Sequence, residues 1–345
     1  MTPATRIAII GAGHWGPNLI RNFYDHEQSE VRWVVDSDAA RLAQVQARFS
    51  HVRTATDASA ALADPAVDAV VIATPTITHY ALTKAALEHG KDVLVEKPLA
   101  TDSGQGDLLC TLARERRRVL MVGHVFLYNV AVQRIKTYLA AGTVGRVYYV
   151  AMERTNLGPI RMDVNAAWDL ASHDISIVSH WLDAEPTHVS ATGHAWINPG
   201  VCDAVFATLR YPNDVLVHVH ASWLNPRKAR DITVVGDKCM LTFDDTDNLE
   251  PIRIYDKQVT DHTTQPAFVD SIAAFRASVR NGDITIPQVA LGEPLKAECS
   301  EFLRCVRERA EPQAHGRFAN HVVRAIEAIE RSITRQGAEE PVHRE

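Results

Sequence analysis

An apolar run leads into a glycine-rich turn in the segment Ile7-Ala8-Ile9-Ile10-Gly11-Ala12-Gly13-His14-Trp15-Gly16. A second apolar run at residues 31–35 ends at Asp36. In this layout Gly11 permits a tight turn, Gly13 lets the backbone approach a pyrophosphate, and Gly16 allows a helix to pack closely. The first amides of that helix favour phosphate oxygens, and an acidic residue after the next strand can accept bonds from ribose hydroxyls. The segment therefore predicts a dinucleotide-binding site.

Length and composition narrow the class of protein. The 345 residues suffice for about two domains, and 46% hydrophobic with 23% charged residues is typical of a globular chain. The net charge of −6 is spread without long runs of one sign, so we expect neither nucleic acid nor a membrane as a partner. The five cysteines form no C-x-x-C pair, and the sequence lacks a signal-peptide pattern and a membrane-length apolar run. We expect free thiols and a cytoplasmic location.

Strand-like and helix-like segments alternate through the first third of the chain. After the two runs above, buried strands are predicted at residues 69–73, 92–95 and 119–122. Helical periodicity is found at residues 38–49, 58–62, 78–89 and 105–116. Because helices alternate with these strands, we predict an α/β fold with a doubly wound parallel (Rossmann) sheet at residues 1–125.

The pattern changes beyond residue 126. Alternation with period two predicts strands at residues 147–154, 188–196, 204–211, 215–223, 231–235 and 240–243. Helices are predicted at residues 130–141, 167–182, 295–308 and 320–335. We predict a second domain at residues 126–336 with a mainly antiparallel sheet, followed by a frayed tail at residues 337–345.

Candidate residues follow the strands of the first domain, because ligands bind doubly wound sheets at the carboxyl ends of the strands. The residues expected to border a cofactor there are Thr74, Pro75, His79, Glu96 and Lys97, in addition to the glycine-rich turn with His14 and Trp15. Lys97 is flanked by Glu96 and Pro98, and its ammonium can stabilise negative charge on a substrate oxygen. The alternative is a solvated lysine in a turn.

A second candidate site lies in the predicted helix 167–182. Asp169 and His173 are four residues apart, so they share one face of a helix. A carboxylate that orients an imidazole suits a general acid/base. One alternative is a surface ion pair of little consequence. Another is a metal site that adds His180, but one helix cannot easily direct all three side chains at one ion, so we predict no metal.

Four motifs carry a family resemblance: Gly11-Ala12-Gly13-His14-Trp15-Gly16-Pro17-Asn18, Ala73-Thr74-Pro75 with His79, Glu96-Lys97-Pro98, and Asp169-x-x-x-His173-Asp174. The chain resembles the Gfo/Idh/MocA oxidoreductases over nearly its whole length. The resemblance implies an open-faced C-terminal sheet, NAD or NADP as cofactor, sugar or cyclitol substrates, and pairing of subunits through that sheet. It also implies that Lys97 and His173 are the catalytic pair, with Asp169 contacting substrate or orienting His173.

The expected substrate is a sugar joined to a nucleotide. Within the family, the Trp15-Gly16-Pro17-Asn18 run is similar to that of bacterial enzymes that oxidise a nucleotide-linked N-acetylaminouronic acid at C3. Polar residues between the first strand of the second sheet and the catalytic helix can hold a diphosphate or an acidic sugar: Arg154, Asn156, Arg161 and Asn165. Solvated loop charges are the alternative.

Several further expectations and alternatives accompany this interpretation. Asp36 favours NAD over NADP, although Arg41 nearby can pair with a phosphate. Val215, Val217 and Val219 or their neighbours are expected on an exposed sheet face, which favours a homodimer or homotetramer. An inositol or free-sugar dehydrogenase, a keto-sugar reductase and a non-catalytic NAD(H)-binding sensor stay open as alternatives.

Overall fold

The computed structural model describes residues 3–162, 164–259, 279–290 and 292–343. The chain divides into two compact units, one of Met1–Asn129 with Gly292–Arg324 and one of Val130–Leu291 with Ala325–Glu345. The helices of the described residues are α1 (Gly16–Tyr24), α2 (Ala39–Arg48), α3 (Ser59–Ala63), α4 (His79–Glu88), α5 (Ser103–Arg116), α6 (Val130–Ala140), α7 (Ser172–Leu182), α8 (Pro294–Glu308) and α9 (Gly316–Thr334). None is long and apolar enough to cross a membrane.

The first unit contains a parallel sheet of six strands. These are β1 (Thr5–Ile10), β2 (Ser29–Val35), β3 (Arg53–Ala55), β4 (Ala69–Ile72), β5 (Asp92–Glu96) and β6 (Leu120–Gly123), in the order β3-β2-β1-β4-β5-β6. The order reverses between β1 and β4, and a crevice forms at such a point beyond the carboxyl ends of the strands. The predicted doubly wound sheet is confirmed, and the glycine-rich turn after β1 lies at this crevice.

Apolar side chains of the sheet fill two cores, one on each face. Ile7 and Ile9 of β1 pack with residues of α1, α2 and α8, whereas Ala8 and Ile10 pack with residues of α3, α4 and α5. Because successive side chains of a strand point to opposite faces, a strand buried on both sides must be apolar throughout. This is why residues 7–10 of β1, the whole of β4 and residues 93–95 of β5 read as continuous apolar runs.

Residues 292–324 return to the first unit, whereas the sequence prediction assigned them to the second domain. The cause is packing: Leu295, Cys299, Phe302 and Leu303 of α8 are buried in the core beside α1. Phe302 meets Phe23 edge to face at 6.2 Å between ring centroids. An amphipathic pattern in a sequence shows that a helix buries one face, but not which sheet receives it.

The second unit contains a sheet of nine strands. These are β7 (Val147–Leu157), β8 (His188–His194), β9 (Ala204–Tyr211), β10 (Val215–Ser222), β11 (Leu224–Gly236), β12 (Met240–Asp244), β13 (Ile252–Val259), β14 (Val279–Thr285) and β15 (Glu340–Pro341). Their order is β14-β13-β12-β11-β7-β10-β9-β8-β15. Among the described strands of this second sheet, only β7 and β10 pair in parallel, so the predicted mainly antiparallel sheet is confirmed.

The prediction for the faces of β10 was wrong in part. Val215, Val217 and Val219 are buried within the unit, because odd-numbered side chains of β10 face the core. The even-numbered neighbours lie on the other face, and Leu216 is 40% exposed. The open face therefore consists of the neighbours of the residues named from the sequence.

The C-terminal segment is also more ordered than predicted. Glu340–Pro341 forms β15 against β8, and Glu340 and Val342 are buried. Arg331 and Arg335 both donate to the carboxylate of Glu340. A polar tail gives little signal in the sequence when its partners are a strand edge, an arginine in the last turn of α9 and another arginine just after that helix.

Candidate active site

The glycine-rich turn has the shape that a dinucleotide requires. Gly11 has φ = +104°, and a Cβ there would overlap the carbonyl oxygen of Ala73. A Cβ on Gly16, the first residue of α1, would overlap the carbonyl oxygen of Gly11. At Gly13 the nearest such atom is a nitrogen of Arg41 at 3.5 Å, so its backbone is open to a phosphate. The residues of the turn fit a bound dinucleotide.

Asp36 is held rigidly at the end of β2. Its two carboxylate oxygens accept from the amide of Ala12 at 2.7 Å and the amide of Asp38 at 2.9 Å. The guanidinium of Arg41 lies 3.6 Å from Asp36 and 3.5 Å from Asp38. Arg41 is half-exposed and already faces two carboxylates, so Asp36 supplies the main charge at the expected ribose position.

We expect NAD to bind more tightly than NADP, because the carboxylate of Asp36 repels a 2'-phosphate. Asp36→Ala should narrow or reverse the preference, since Arg41 then loses a carboxylate and can pair with that phosphate. Calorimetric titration of both cofactors into both proteins measures this. Tighter binding of NADP to the unaltered protein would show that Arg41 outweighs Asp36.

Lys97 follows β5 at the carboxyl end of the sheet, and its peptide bond to Pro98 is cis. His79 is buried, and its ring nitrogens lie 2.7 Å from the carbonyl oxygen of Pro98 and 2.9 Å from that of Thr74. Burial lowers the pKa of His79. His79, which the sequence predicts to border the cofactor, therefore braces the loops after β4 and β5 through both ring nitrogens. His14 and Trp15 are exposed at the turn.

The carboxyl group of Glu96 lies beside Lys97 and interacts with its charge. Burial raises the pKa of Glu96 to about 7, against the opposing effect of the Lys97 charge and of bonds from the Lys97 amide and the Trp15 indole. A Cβ on Gly123 of β6 would lie 2.9 Å from a carboxylate oxygen of Glu96, so this glycine lets the carboxyl group lie close to the backbone of β6. His124 follows, and burial together with the Lys97 charge lowers its pKa to about 3.

Glu298 of α8 was not singled out from the sequence. It is fully buried, and neither carboxyl oxygen has a hydrogen-bond partner among the described residues. Burial and the charge of Glu96 raise the pKa of Glu298 well above its usual value. The two acids therefore cannot both ionise easily, and the charge of Lys97 favours the ionised form of Glu96 over that of Glu298.

Glu298→Gln should make the protein relatively more stable as pH rises. A carboxyl whose pKa is raised on folding keeps its proton in the folded state only, so the free energy of unfolding falls with pH above the unfolded pKa. The variant lacks this loss, of about 1.4 kcal/mol per pH unit. Thermal midpoints of both proteins from pH 5 to 8 test this; a constant difference would contradict it.

A matched control lies on the same helix. Arg304 donates to Glu301 at 2.8 and 2.9 Å and thereby lowers the pKa of Glu301. Glu301→Gln should therefore show the opposite sign: it lowers the thermal midpoint at neutral pH, and the difference disappears as pH falls.

In the second unit, Asp169 lies in a π-helical turn, Ala167–Ala171, that precedes α7. One carboxylate oxygen accepts from Arg161 at 3.1 Å and the other from the indole of Trp223 at 3.1 Å. Trp223 is fully buried, so its donor is fixed in place. Single π turns are frequent at functional sites. The carboxylate is oriented from two sides, as expected of a residue that positions another group.

His173 is half-buried in the first turn of α7, and its carbonyl accepts from the hydroxyl of Ser176 at 2.7 Å. His180 lies further along α7, where burial and the Lys136 charge lower its pKa to about 4. Within the parts of the chain that the structure describes, no three His, Cys, Asp or Glu side chains are grouped to hold a metal ion. The alternative with Asp169, His173 and His180 as ligands has no support there.

The polar residues assigned to the substrate differ in their surroundings. Arg154 is buried and pairs with Asp174 at 2.7 Å, with both side chains 2% exposed, which favours a structural role. Asn156 bonds to Gly158 and Arg230, and Asn165 caps the π turn through the amide of Ala167. Arg161 is half-exposed beside Asp169. Of the four, Arg161 remains the candidate for an anionic group.

Comparisons with known proteins define the class. Residues 5–124 match the model of an oxidoreductase family with an NAD-binding Rossmann fold, GFO_IDH_MocA, and residues 132–242 match the GFO/IDH/MocA C-terminal domain. The chain belongs to the Gfo/Idh/MocA family, as the motifs predicted. It is an oxidoreductase that uses NAD, and its named relatives act on CH–OH groups.

Two relatives and one solved structure are similar enough to compare. UDP-N-acetylglucosamine 3-dehydrogenase of Acidithiobacillus ferrooxidans is 32% identical over 230 residues, covering 66% of this chain and 70% of that protein. The scyllo-inositol 2-dehydrogenase (NAD(+)) of Bacillus subtilis is 28% identical over 66% of this chain and 69% of that protein. The solved structure of GnnA, the A. ferrooxidans enzyme, has a TM-score of 0.80 at 27% identity, covering 96% of this chain and 97% of that one.

Proposed function

We propose that the protein oxidises a secondary alcohol of a nucleotide-linked sugar to a ketone, such as C3 of a UDP-N-acetylaminosugar or its uronic acid. Lys97, which has the carboxyl group of Glu96 beside it, donates to the substrate oxygen and stabilises its negative charge. His173 accepts the hydroxyl proton, and Asp169 orients it. NAD⁺ supplies the acceptor for the hydride that leaves the alcohol carbon. The residues Gly11, Gly13, Gly16 and Asp36 hold the cofactor.

The proposal rests on the surroundings of two side chains, those of Lys97 and Asp169. A buried acid lies beside Lys97, and fixed donors orient the carboxylate of Asp169 four residues before His173. A protein that only senses NAD(H) has no use for either. The nucleotide-linked substrate is supported by the similarity to a UDP-N-acetylglucosamine 3-dehydrogenase and by Arg161, which can pair with a diphosphate or a uronate. Five free thiols support a reducing compartment such as the cytoplasm.

A substrate panel tests the proposal. NADH formation is measured at one enzyme concentration with UDP-N-acetylglucosamine, its uronic acid, dTDP-glucose, free N-acetylglucosamine, and myo- and scyllo-inositol. We expect turnover of at least one UDP-aminosugar and little of the free sugars, with Arg161→Ala raising KM for the charged substrates. Efficient turnover of a free inositol, with every nucleotide sugar inert, would replace the proposal by a cyclitol dehydrogenase.

We also propose that copies of the chain associate through the open face of the nine-stranded sheet. Phe206 and Leu216 are exposed there, and Phe206 stacks on His220 with 4.4 Å between ring centroids. Apolar side chains gathered on one exposed face favour a homo-oligomeric interface. Light scattering should show a dimer or tetramer, and Leu216→Glu should shift it toward monomer. A monomer at micromolar concentration of the unaltered protein would remove the proposal.

A further inference from the structure

A cavity of about 800 Å³ lies at the amino end of β6 in the first unit, away from the glycine-rich turn at the carboxyl end of β1. Arginines dominate its lining: Arg114, Arg117 and Arg118 around the end of α5, and Arg309 and Arg317 from the returning segment 292–324. Its two carboxylates belong to Asp107 and Glu311. We call this site the arginine cavity; its charges sum to an excess of three positive.

The acids near the arginine cavity do not neutralise all of its arginines. Asp107 pairs with Arg324, and Glu311 pairs with Arg317 at 3.3 Å. Asp92 takes two bonds from Arg309, at 2.8 and 3.0 Å, which fixes that guanidinium. No ion pair joins Arg114, Arg117 or Arg118 to a carboxylate of the described chain.

Arg118 lines the arginine cavity and is partly buried. Its Nε atom is buried, with no hydrogen-bond partner among the described residues. A donor in that state costs free energy unless a bound group satisfies it. Basic residues at the end of α5 also complement the helix dipole, which accounts for Arg114 and Arg116. It does not account for Arg309 and Arg317, which come from another part of the chain.

We propose that the arginine cavity binds a polyphosphate anion, such as the di- or triphosphate group of a nucleotide, at a site separate from that of NAD. Guanidinium groups match phosphate oxygens in bidentate pairs, so several of them around one concave wall favour an anion with several charged oxygens. The volume lies within the range of small-molecule sites, about 300–1,000 Å³. The proposal does not depend on which sugar the enzyme oxidises.

Calorimetric titration of inorganic tripolyphosphate into the protein saturated with NAD tests this. NAD occupies the phosphate-binding turn, so saturable one-to-one binding would report a second site. Arg118→Ala and Arg114→Ala should each weaken it about tenfold or more. A parallel titration with ATP, also at saturating NAD, shows whether a nucleoside adds affinity; weaker binding than tripolyphosphate would restrict the site to the inorganic anion.

Arg116→Ala is the matched control, because Arg116 is exposed on the same helix and does not line the cavity. It should leave the affinity unchanged. Thermal midpoints of the NAD complexes establish whether each variant is folded. If Arg118→Ala does not fold, Arg114→Ala still tests the proposal, because Arg114 is exposed. Absence of saturable binding, or equal weakening by all three variants, would overturn the proposal.

Discussion

Replacing Lys97 or His173 by alanine should lower kcat/KM by about 10²- to 10⁴-fold each. Lys97→Ala removes the cation that stabilises charge on the substrate oxygen, and His173→Ala removes the proton acceptor. Neither side chain belongs to the phosphate or ribose cradle, so the affinity for NAD should change little. Steady-state NADH formation between pH 6 and 9, with calorimetry of NAD binding, measures both effects.

Lys84→Ala provides the comparison for Lys97, because Lys84 is half-exposed on α4 and pairs with Glu88 four residues on. It should retain full activity. If His173→Ala kept nearly full activity across that pH range, His173 would not be the general base. Activity lost in EDTA and restored by zinc would instead revive a metal role for Asp169, His173 and His180.

Asp174→Ala should destabilise the second unit by about 3–5 kcal/mol, because it leaves the charge of Arg154 buried without its carboxylate. The Arg154–Asp174 bond is 2.7 Å long, and both side chains are almost completely buried. Urea denaturation followed by tryptophan fluorescence measures the loss. A double variant, Arg154→Met with Asp174→Leu, should recover much of it, since two apolar groups replace two desolvated charges.

Asp231→Ala is the matched control for Asp174. Its partner Arg227 is mostly exposed, and such pairs contribute about 0–1 kcal/mol. A similar loss in both variants would show that the burial of Arg154 is not the cause. A small loss in Asp174→Ala would show that Arg154 is satisfied in another way, and would return it to the candidates for substrate binding.

The first unit was predictable because its signals are local. A buried parallel strand reads as an apolar run, and Gly11, Gly13 and Gly16 stand at fixed distances after one. The strand β3, Arg53–Ala55, was not located because its three residues are too short to show a pattern. The strands β13 and β14 were missed for another reason: charged residues such as Arg253 and Asp283 interrupt the alternation of an outer strand.

The sequence predicted only those site residues that belong to a recognisable motif. Lys97, Asp169 and His173 stand in recognisable spacings, whereas Glu298, which interacts with Glu96, and Trp223, which donates to Asp169, come from distant parts of the chain. Arg154 carries a guanidinium group of the kind that binds anionic substrates. Its burial against Asp174, however, depends on how α7 packs on the sheet. The arginine cavity likewise joins residues about 200 positions apart, so a charge count along the chain did not reveal it.

The central claim is that Lys97 and His173 act on one hydroxyl of a nucleotide-linked sugar. A crystal structure of the protein with NADH and the best nucleotide sugar of the panel tests it most directly. The account predicts that the amine of Lys97 and a ring nitrogen of His173 each lie within about 2.6–3.2 Å of the same substrate oxygen. A complex in which that oxygen contacts neither residue, or in which the sugar binds elsewhere, would contradict it.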